Sequence, residues 1–366
     1  AKSHLLHSIP SKDGFWMPGE FEAHAKTWML WPERPDTWRE HARPAQKAFM
    51  DVALAIAQFE PVTMGVNLPQ YENARARLPA QVEVIEIANN DSWMRDCGPI
   101  FVLNDSGQVR GIDWVFNAWG GLQGGLYCPW DLDDAVPERV LELAGLDRYQ
   151  APIVLEGGSI HVDGEGTLIT TEECLLNPNR NPTFSRQDIE DMLKGYLNIS
   201  KVIWLGQGVC NDETSGHVDN LCCFVRPGEV VLTWTDDKSD PQYQISQDAF
   251  RRLELACDAR GRNLVIHKLH QPDPVLLTQA EANGIEAVAG TKPRIAGEQM
   301  AASYVNFYLC NGGLVVPTFN DTNDQLALEA LQRIMPERKV VGVYAREILL
   351  GGGNIHCITQ QQPKGK

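Results

Sequence analysis

The feature that most constrains this chain is a strand–turn–strand pattern that returns along its length. Segments 98–116, 157–174, 216–234 and 303–319 each hold a short apolar or β-branched run, a turn containing glycine, and a second run. The turns fall at Asn104 to Gly107, Asp163 to Gly166, Pro227-Gly228 and Asn311-Gly312, which is the chemistry of β-hairpins. Helical patterns at roughly 43–58, 134–144, 185–197, 245–260 and 324–335 separate them, with Ser185 placed as an N-cap. Segment 351–363 supplies one further strand, and 25–32 supplies a strand with no tight hairpin partner. The economical account is a closed ring in which the N-terminal strand completes the C-terminal unit, making residues 1–366 one domain of five similar units. An ordinary α/β sheet with coincidental hairpins is the alternative. In a ring, polar residues at equivalent strand starts become neighbours in a central channel.

Charge narrows the partners. Against 32 basic side chains stand 48 acidic ones, a net charge of −16, so nothing is available to displace phosphate counterions and nucleic-acid binding is excluded. The balance suits a small cationic substrate, although solubility alone explains many acidic proteins. No apolar run is long enough for a membrane span, and the first residues lack a leader pattern. Nine cysteines, an odd number without a CxxC pair, point to reduced thiols in a cytoplasm. A homo-oligomer stays open.

Ionisable residues gather where the hairpins begin. Gly157-Gly158-Ser159-Ile160-His161 aligns with Gly352-Gly353-Asn354-Ile355-His356, Asp96 precedes the first hairpin, and His217-Val218-Asp219 precedes the third. Read as strand, His217 and Asp219 share a face and could act on one ligand. Most of the cysteines read as small core residues, and Cys97, read as strand, faces away from Asp96. Cys357 differs, because the three glycines before it allow close packing beside a ligand, which makes it the candidate nucleophile. A metal held by His161/Asp163 and His217/Asp219 is the chemical rival, but HExxH and clustered His–Asp motifs are missing, so no metal is expected. Segment 119–125 fails as a phosphate loop and reads as a mobile loop near a pocket. Trp93 and Trp119, beside acids and glycines, could flank a planar cation.

These segments carry a resemblance. MPGEFEAHAKTWMLWPERPDTW, NDSWMRDCGPI, DWVFNAWGG, LEGGSIHVDGEGTLITTEECLLNPNRNP, DETSGHVDN, VNFYLCNGGLVVPTFND and GGGNIHCITQQQP run in order over nearly the whole chain. The chain resembles the agmatine deiminases of the guanidine-modifying (pentein) superfamily, related to bacterial-type peptidylarginine deiminases. The resemblance implies a five-fold pseudosymmetric α/β propeller of ββαβ-like units around a central active-site channel. It also implies hydrolysis of agmatine to N-carbamoylputrescine and ammonia without metal or organic cofactor, in putrescine and polyamine metabolism. By the same resemblance Cys357 forms a covalent amidino intermediate, His217 is the acid and base, and Asp96 and Asp219 grip the guanidinium. Glu213, with Glu156 as a second candidate, is expected to bind the substrate amine, while Arg95 is left unassigned. Ser215 departs from the pattern, where a larger polar residue such as Asn is expected. Deimination of free or peptidyl arginine, a non-catalytic propeller scaffold and a metal hydrolase are the competing readings.

Overall fold

All four glycine turns close hairpins. In the computed structural model, which describes residues 2–366, strand Ile100–Leu103 pairs antiparallel with Val109–Val115, and Ile160–Val162 with Thr167–Thr171. Cys222–Arg226 pairs in the same way with Glu229–Trp234, and Tyr308–Cys310 with Gly313–Thr318. Gly228 and Gly312 lie at φ 77° and 69°, backbone that a β-carbon disfavours, so glycine sets the turn. The fifth hairpin comes from the two ends of the chain. Gln360–Pro363 runs antiparallel to His24–Leu30, with Gln360 opposite Trp28.

A helix and a parallel strand follow each hairpin. Helices Arg43–Ala57, Val136–Ala144, Arg186–Leu197 and Asp324–Ile334 occupy the predicted places, and a fifth, Pro241–Leu255, overlaps its predicted range. They lead into Val62–Val66, Arg148–Val154, Lys201–Leu205, Val265–His270 and Lys339–Tyr344, each parallel to the second hairpin strand of its unit. The right-handed crossover that such a parallel pair requires is what the intervening helix provides. Strand Gln360–Pro363 touches Ile100–Leu103, and Ile160–Val162 touches Cys222–Arg226, so first strands of successive units meet at the centre. The molecule is a five-fold α/β propeller of the pentein type.

The helices pack outside, on the faces of these sheets. Ala45, Phe49, Val52 and Ile56 of the Arg43–Ala57 helix fall on one buried stripe at helical spacing. Burying side chains of this kind stabilises by about 1.5–3 kcal/mol each. Ser185 caps its helix as expected, its Oγ accepting the Asp188 N–H (3.1 Å) while Asp188 Oδ2 accepts the Ser185 N–H (2.9 Å). The helix predicted over 245–260 instead spans Pro241–Leu255. Asp240 caps it through the Gln242 N–H (2.9 Å), and Pro241 takes the first turn, where a missing N–H costs nothing.

The segments entering the first strands require a correction. Val218–Asn220 is a 3₁₀ turn and Met94–Cys97 a helical turn, so the alternation argument fails for both His217/Asp219 and Asp96/Cys97. Tight turns there serve a purpose: they bend each strand start inward and bring non-adjacent units together.

Candidate active site

The turns Met94–Cys97, Gly157–Ser159, Val218–Asn220 and His356–Ile358 pack against one another at the propeller axis. Gly158 marks the point of convergence. A β-carbon placed there would lie 2.7 Å from His217 Nδ1, 2.8 Å from Asp219 Oδ2 and 2.8 Å from Asp96 Oδ1. Three groups expected to share a ligand therefore surround one residue that has no side chain. The Gly158 N–H also donates to Asp96 Oδ1 (3.0 Å), and Trp119 Nε1 donates to Asp96 Oδ2 (2.8 Å).

Cys357 lines a cavity together with Asp96, Trp93, Trp119, Tyr127 and Thr214. Its thiol is 5% exposed and faces Asn306 Oδ1 at 3.4 Å and Asp219 Oδ2 at 3.7 Å. The glycines before it admit neighbours as well as a ligand: Gly351 gives way to the ring of Trp38, and Gly353 to that of Trp93. Trp93 stacks on Trp38 at 5.3 Å and donates from Nε1 to Asp91 (2.9 Å). Trp93 and Trp119 thus line the cavity while their N–H groups hold Asp91 and Asp96. Trp119 enters the cavity ahead of the short helical turn Gly121–Gly124, with Ala118 and Trp119 at φ 56° and 64°, a left-handed conformation rare for such side chains.

The charges are arranged in opposition. Burial pushes Asp96 up to about 6, with His217 opposing and Asp219 and Glu156 reinforcing the rise. Burial would also raise Asp219, but its hydrogen bond to His356 and the charge on that ring keep it low. For His217, burial alone would favour the neutral ring; Asp96, Cys174 and Glu156 outweigh it and raise the imidazole well above its usual value. Burial is the main reason the Cys357 thiol is pushed up, and Asp219 and Asp96 add to it.

Glu156 is corrected from a tail-binding acid to a partner of His217. Its Oε1 lies 2.8 Å from His217 Nε2 and accepts from Arg180 Nη2 (2.6 Å), leaving no free face for a substrate amine. Against the pull of burial, Arg180 and His217 bring Glu156 down to about 2. Arg180 also donates to the carbonyls of Trp119 (2.8 Å) and Thr214 (2.7 Å), so one guanidinium fixes three parts of the site. Glu213 is more crowded than expected. Its Oε2 pairs with Lys292 (2.5 Å) and with Arg294, while Oε1 is buried without a hydrogen bond and points over Gly352 at the edge of the cavity.

Arg95, unassigned from the sequence, is buried away from the cavity, where it donates to the His356 carbonyl and to Gln360 and Gln361. The rival metal reading drew on His161/Asp163 and His217/Asp219, and neither Asp163 nor Asp219 falls in a group of three ligand atoms close enough to share an ion. Among the described residues, the groups close enough to share an ion are Glu20/His161/His356 and Glu156/Cys174/His217, and an arginine already sits beside each. Sequence reading missed Asn306, Glu20 and Arg180. Asn306 was within reach, since it stands just ahead of strand Tyr308–Cys310, where the other units place their functional groups.

Known proteins resemble the chain over its full length. The chain is 60% identical over 362 residues, 99% of each chain, to a protein of Latilactobacillus sakei. It is 58% identical over 358 residues, 97% of each, to the agmatine deiminase of Pseudomonas aeruginosa. The solved agmatine deiminase of Enterococcus faecalis superposes over the whole of both chains with a TM-score of 0.97 at 51% identity. The family model for the Porphyromonas-type peptidyl-arginine deiminases matches residues 16–363, which takes in every turn at the propeller axis, and the chain belongs to that family.

Proposed function

We propose that this chain is an agmatine deiminase, a hydrolase that converts agmatine and water to N-carbamoylputrescine and ammonia. The observation that carries the reading is the convergence of Asp96, Asp219 and His217 on Gly158, beside a buried thiol. Two carboxylates facing one gap suit a planar cation whose N–H groups they can accept, and the full-length relatives with that name add weight.

The chemistry follows from the protonation states. Cys357 rests as a thiol; an entering guanidinium brings a positive charge that offsets Asp96 and Asp219 and favours loss of the Sγ proton. The thiolate attacks the guanidinium carbon, forming a C–S bond and a tetrahedral adduct. Glu156 holds His217 Nε2, so Nδ1 faces the carboxylates and donates its proton to the departing nitrogen, which leaves as ammonia. The amidino group stays on Sγ. Neutral His217 then takes a proton from water, hydroxide adds to the same carbon, and the C–S bond breaks as the new hydroxyl gives its proton to the leaving sulfur, which yields the ureido product and restores the thiol whose first proton went to solvent. Each step is carried by a side chain of the protein.

At the mouth of the cavity, Arg294 would suit the carboxylate of arginine, but Glu213 and the Gly351 carbonyl (3.0 Å) already occupy it. That favours agmatine, with Glu213 Oε1 as the acceptor for its ammonium. The nine cysteines are all free, which supports a reducing cytoplasm, and no helix among the described residues is long and apolar enough to cross a membrane. The test is ammonia release from agmatine, free arginine and a blocked peptidyl arginine, with Cys357→Ala alongside. Turnover of agmatine alone, lost in the variant, supports the reading. Turnover of arginine would keep the chemistry and overturn the assignment of Glu213 and Arg294.

A further inference from the structure

Behind the cavity, on the side away from substrate, lies a second row of ionisable groups that the reaction does not consume. His356 is clamped between two acids: its Nδ1 is 2.9 Å from Asp219 Oδ2, and its Nε2 is 2.5 Å from Glu20 Oε1. Carboxylates only accept, so both ring nitrogens must carry protons and the ring is an imidazolium. Burial and the Arg95 guanidinium oppose that charge, and the two carboxylates outweigh them. Arg95 Nη2 is 3.5 Å from Glu20 Oε1, and His161 Nε2 is 3.8 Å from it. His161 takes the Phe224 N–H on Nδ1 (3.1 Å), which leaves its single proton on Nε2, facing Glu20. Glu20 Oε2 accepts the Leu309 N–H (3.0 Å), and the buried Cys223 and Tyr308 complete the surroundings. Every member is buried, so none of this row is screened by solvent.

The consequence falls on Asp219. One of its oxygens is taken by His356 and the other, Oδ1, is buried with no hydrogen bond of its own. An unpaired buried carboxylate oxygen is costly unless a ligand completes it. We propose that His356 and Glu20 are positioning residues for the deimination: together they hold Asp219 ionised and fix its Oδ2 beside Gly158 and the Cys357 thiol, leaving Oδ1 unpaired to accept from the substrate guanidinium. This rests on the reading of Asp219 as a guanidinium-binding carboxylate. Glu20 acts at one remove, by keeping the second proton on His356. His356 adjoins Cys357 in sequence, and its backbone N–H is bound by Asn306 Oδ1 (3.0 Å), so the turn that carries the nucleophile carries the support for the clamp.

Two isosteric halves of the imidazole separate positioning from bulk packing. His356→Asn keeps an N–H donor at the place of Nδ1, and His356→Gln keeps one at the place of Nε2; both delete the same charge. The Asn variant should retain most of the wild-type KM for agmatine, while the Gln variant should raise it about tenfold or more. Glu20→Gln removes the charge behind the ring, so Asp219 should be held less firmly and the KM for agmatine should rise. Equal KM values in the two His356 variants, or a parental KM in Glu20→Gln, would overturn the proposal. ¹⁵N NMR of the His356 ring in the unmodified protein supplies a check that needs no turnover. Two protonated nitrogens at neutral pH, reduced to one in Glu20→Gln, are expected, and a singly protonated ring in the parent protein would overturn it. If the parent protein releases no ammonia from agmatine, the functional reading fails, and the NMR result alone decides the His356–Glu20 pairing.

Discussion

His217 Nε2 lies 2.8 Å from Glu156 Oε1, and Glu156 is held from its other side by Arg180 Nη2 at 2.6 Å. The three side chains are buried and form a chain of alternating charge, so the ring can turn only one nitrogen, Nδ1, toward Asp96 and Asp219. Glu156→Gln should lower kcat about a hundredfold or more, the scale of a misplaced general acid. It also leaves Arg180 as an uncompensated buried charge, a loss of about 3–5 kcal/mol readable by denaturant titration. The pH dependence has a definite sign. His217 is more basic folded than unfolded, so its stabilisation is complete below the unfolded value of about 6.5 and is lost as pH rises through the raised folded value. Stability from this group should therefore fall on the alkaline side, and the fall should shrink in Glu156→Gln. An unchanged alkaline fall would assign it to another group.

The Cys357 thiol sits where burial, Asp219 and Asp96 all oppose its ionisation. Alkylation of the free enzyme by iodoacetamide should be slow at neutral pH and climb through the alkaline range, with Cys357→Ala giving the background. Binding a slowly reacting guanidine inhibitor should increase the ultraviolet thiolate absorbance at constant pH. The same thiolate fraction with and without the guanidine would show that the enzyme, rather than the substrate, generates the nucleophile.

What the sequence made legible divides by physical cause. Hairpins were readable because Gly228 and Gly312 punctuate them locally, and the strand His24–Leu30 because it lacked a tight partner of its own. The crossover helices were readable from their apolar stripes, but the start at Pro241 was missed because its capping residue lies beyond the periodic run. Residues that the family's motifs singled out, Cys357 and His217 among them, each lie beside Asp219 in the structure. Strand alternation was the wrong warrant for His217 and Asp219, since that segment is a turn. Glu20 and Arg180 stayed hidden for a different reason. Glu20 meets His356 only when the two ends of the chain close the ring, and Arg180 meets Glu156 from a loop of the same unit, where no periodicity announces it.

Ser215 occupies a left-handed position at φ 68°, next to Gly216 at φ 82°. Its Oγ accepts from Asn179 Nδ2 (3.2 Å) and Arg180 Nη1 (3.3 Å), so it sits against the group that orients Glu156. Asn tolerates this backbone better than Ser because its amide bonds the local chain. Ser215→Asn, which also restores the residue the family pattern leads one to expect, should stabilise by about 0.5–1 kcal/mol with kcat unchanged. Destabilisation in a denaturant titration would show that the two Oγ contacts outweigh the backbone preference.

Gly158 offers the most direct test of the convergence itself. The β-carbon of an alanine there would approach His217 Nδ1, Asp219 Oδ2 and Asp96 Oδ1 to 2.7–2.8 Å, closer than carbon and polar atoms pack. All three contacts are side-chain atoms, so the fold can absorb the methyl by turning them outward, which preserves stability at the expense of their geometry. Gly158→Ala should remain folded, with a melting temperature near that of the parent. Displacement of reacting groups by about 1 Å costs on the order of a hundredfold, so kcat/KM for agmatine should fall at least that far. The loss should appear in both KM and kcat, because the carboxylates grip the guanidinium and the imidazole moves its proton. An alanine variant with parental kinetics would mean that the three groups do not work on one ligand, and the reading of this site as a guanidinium clamp would have to be abandoned.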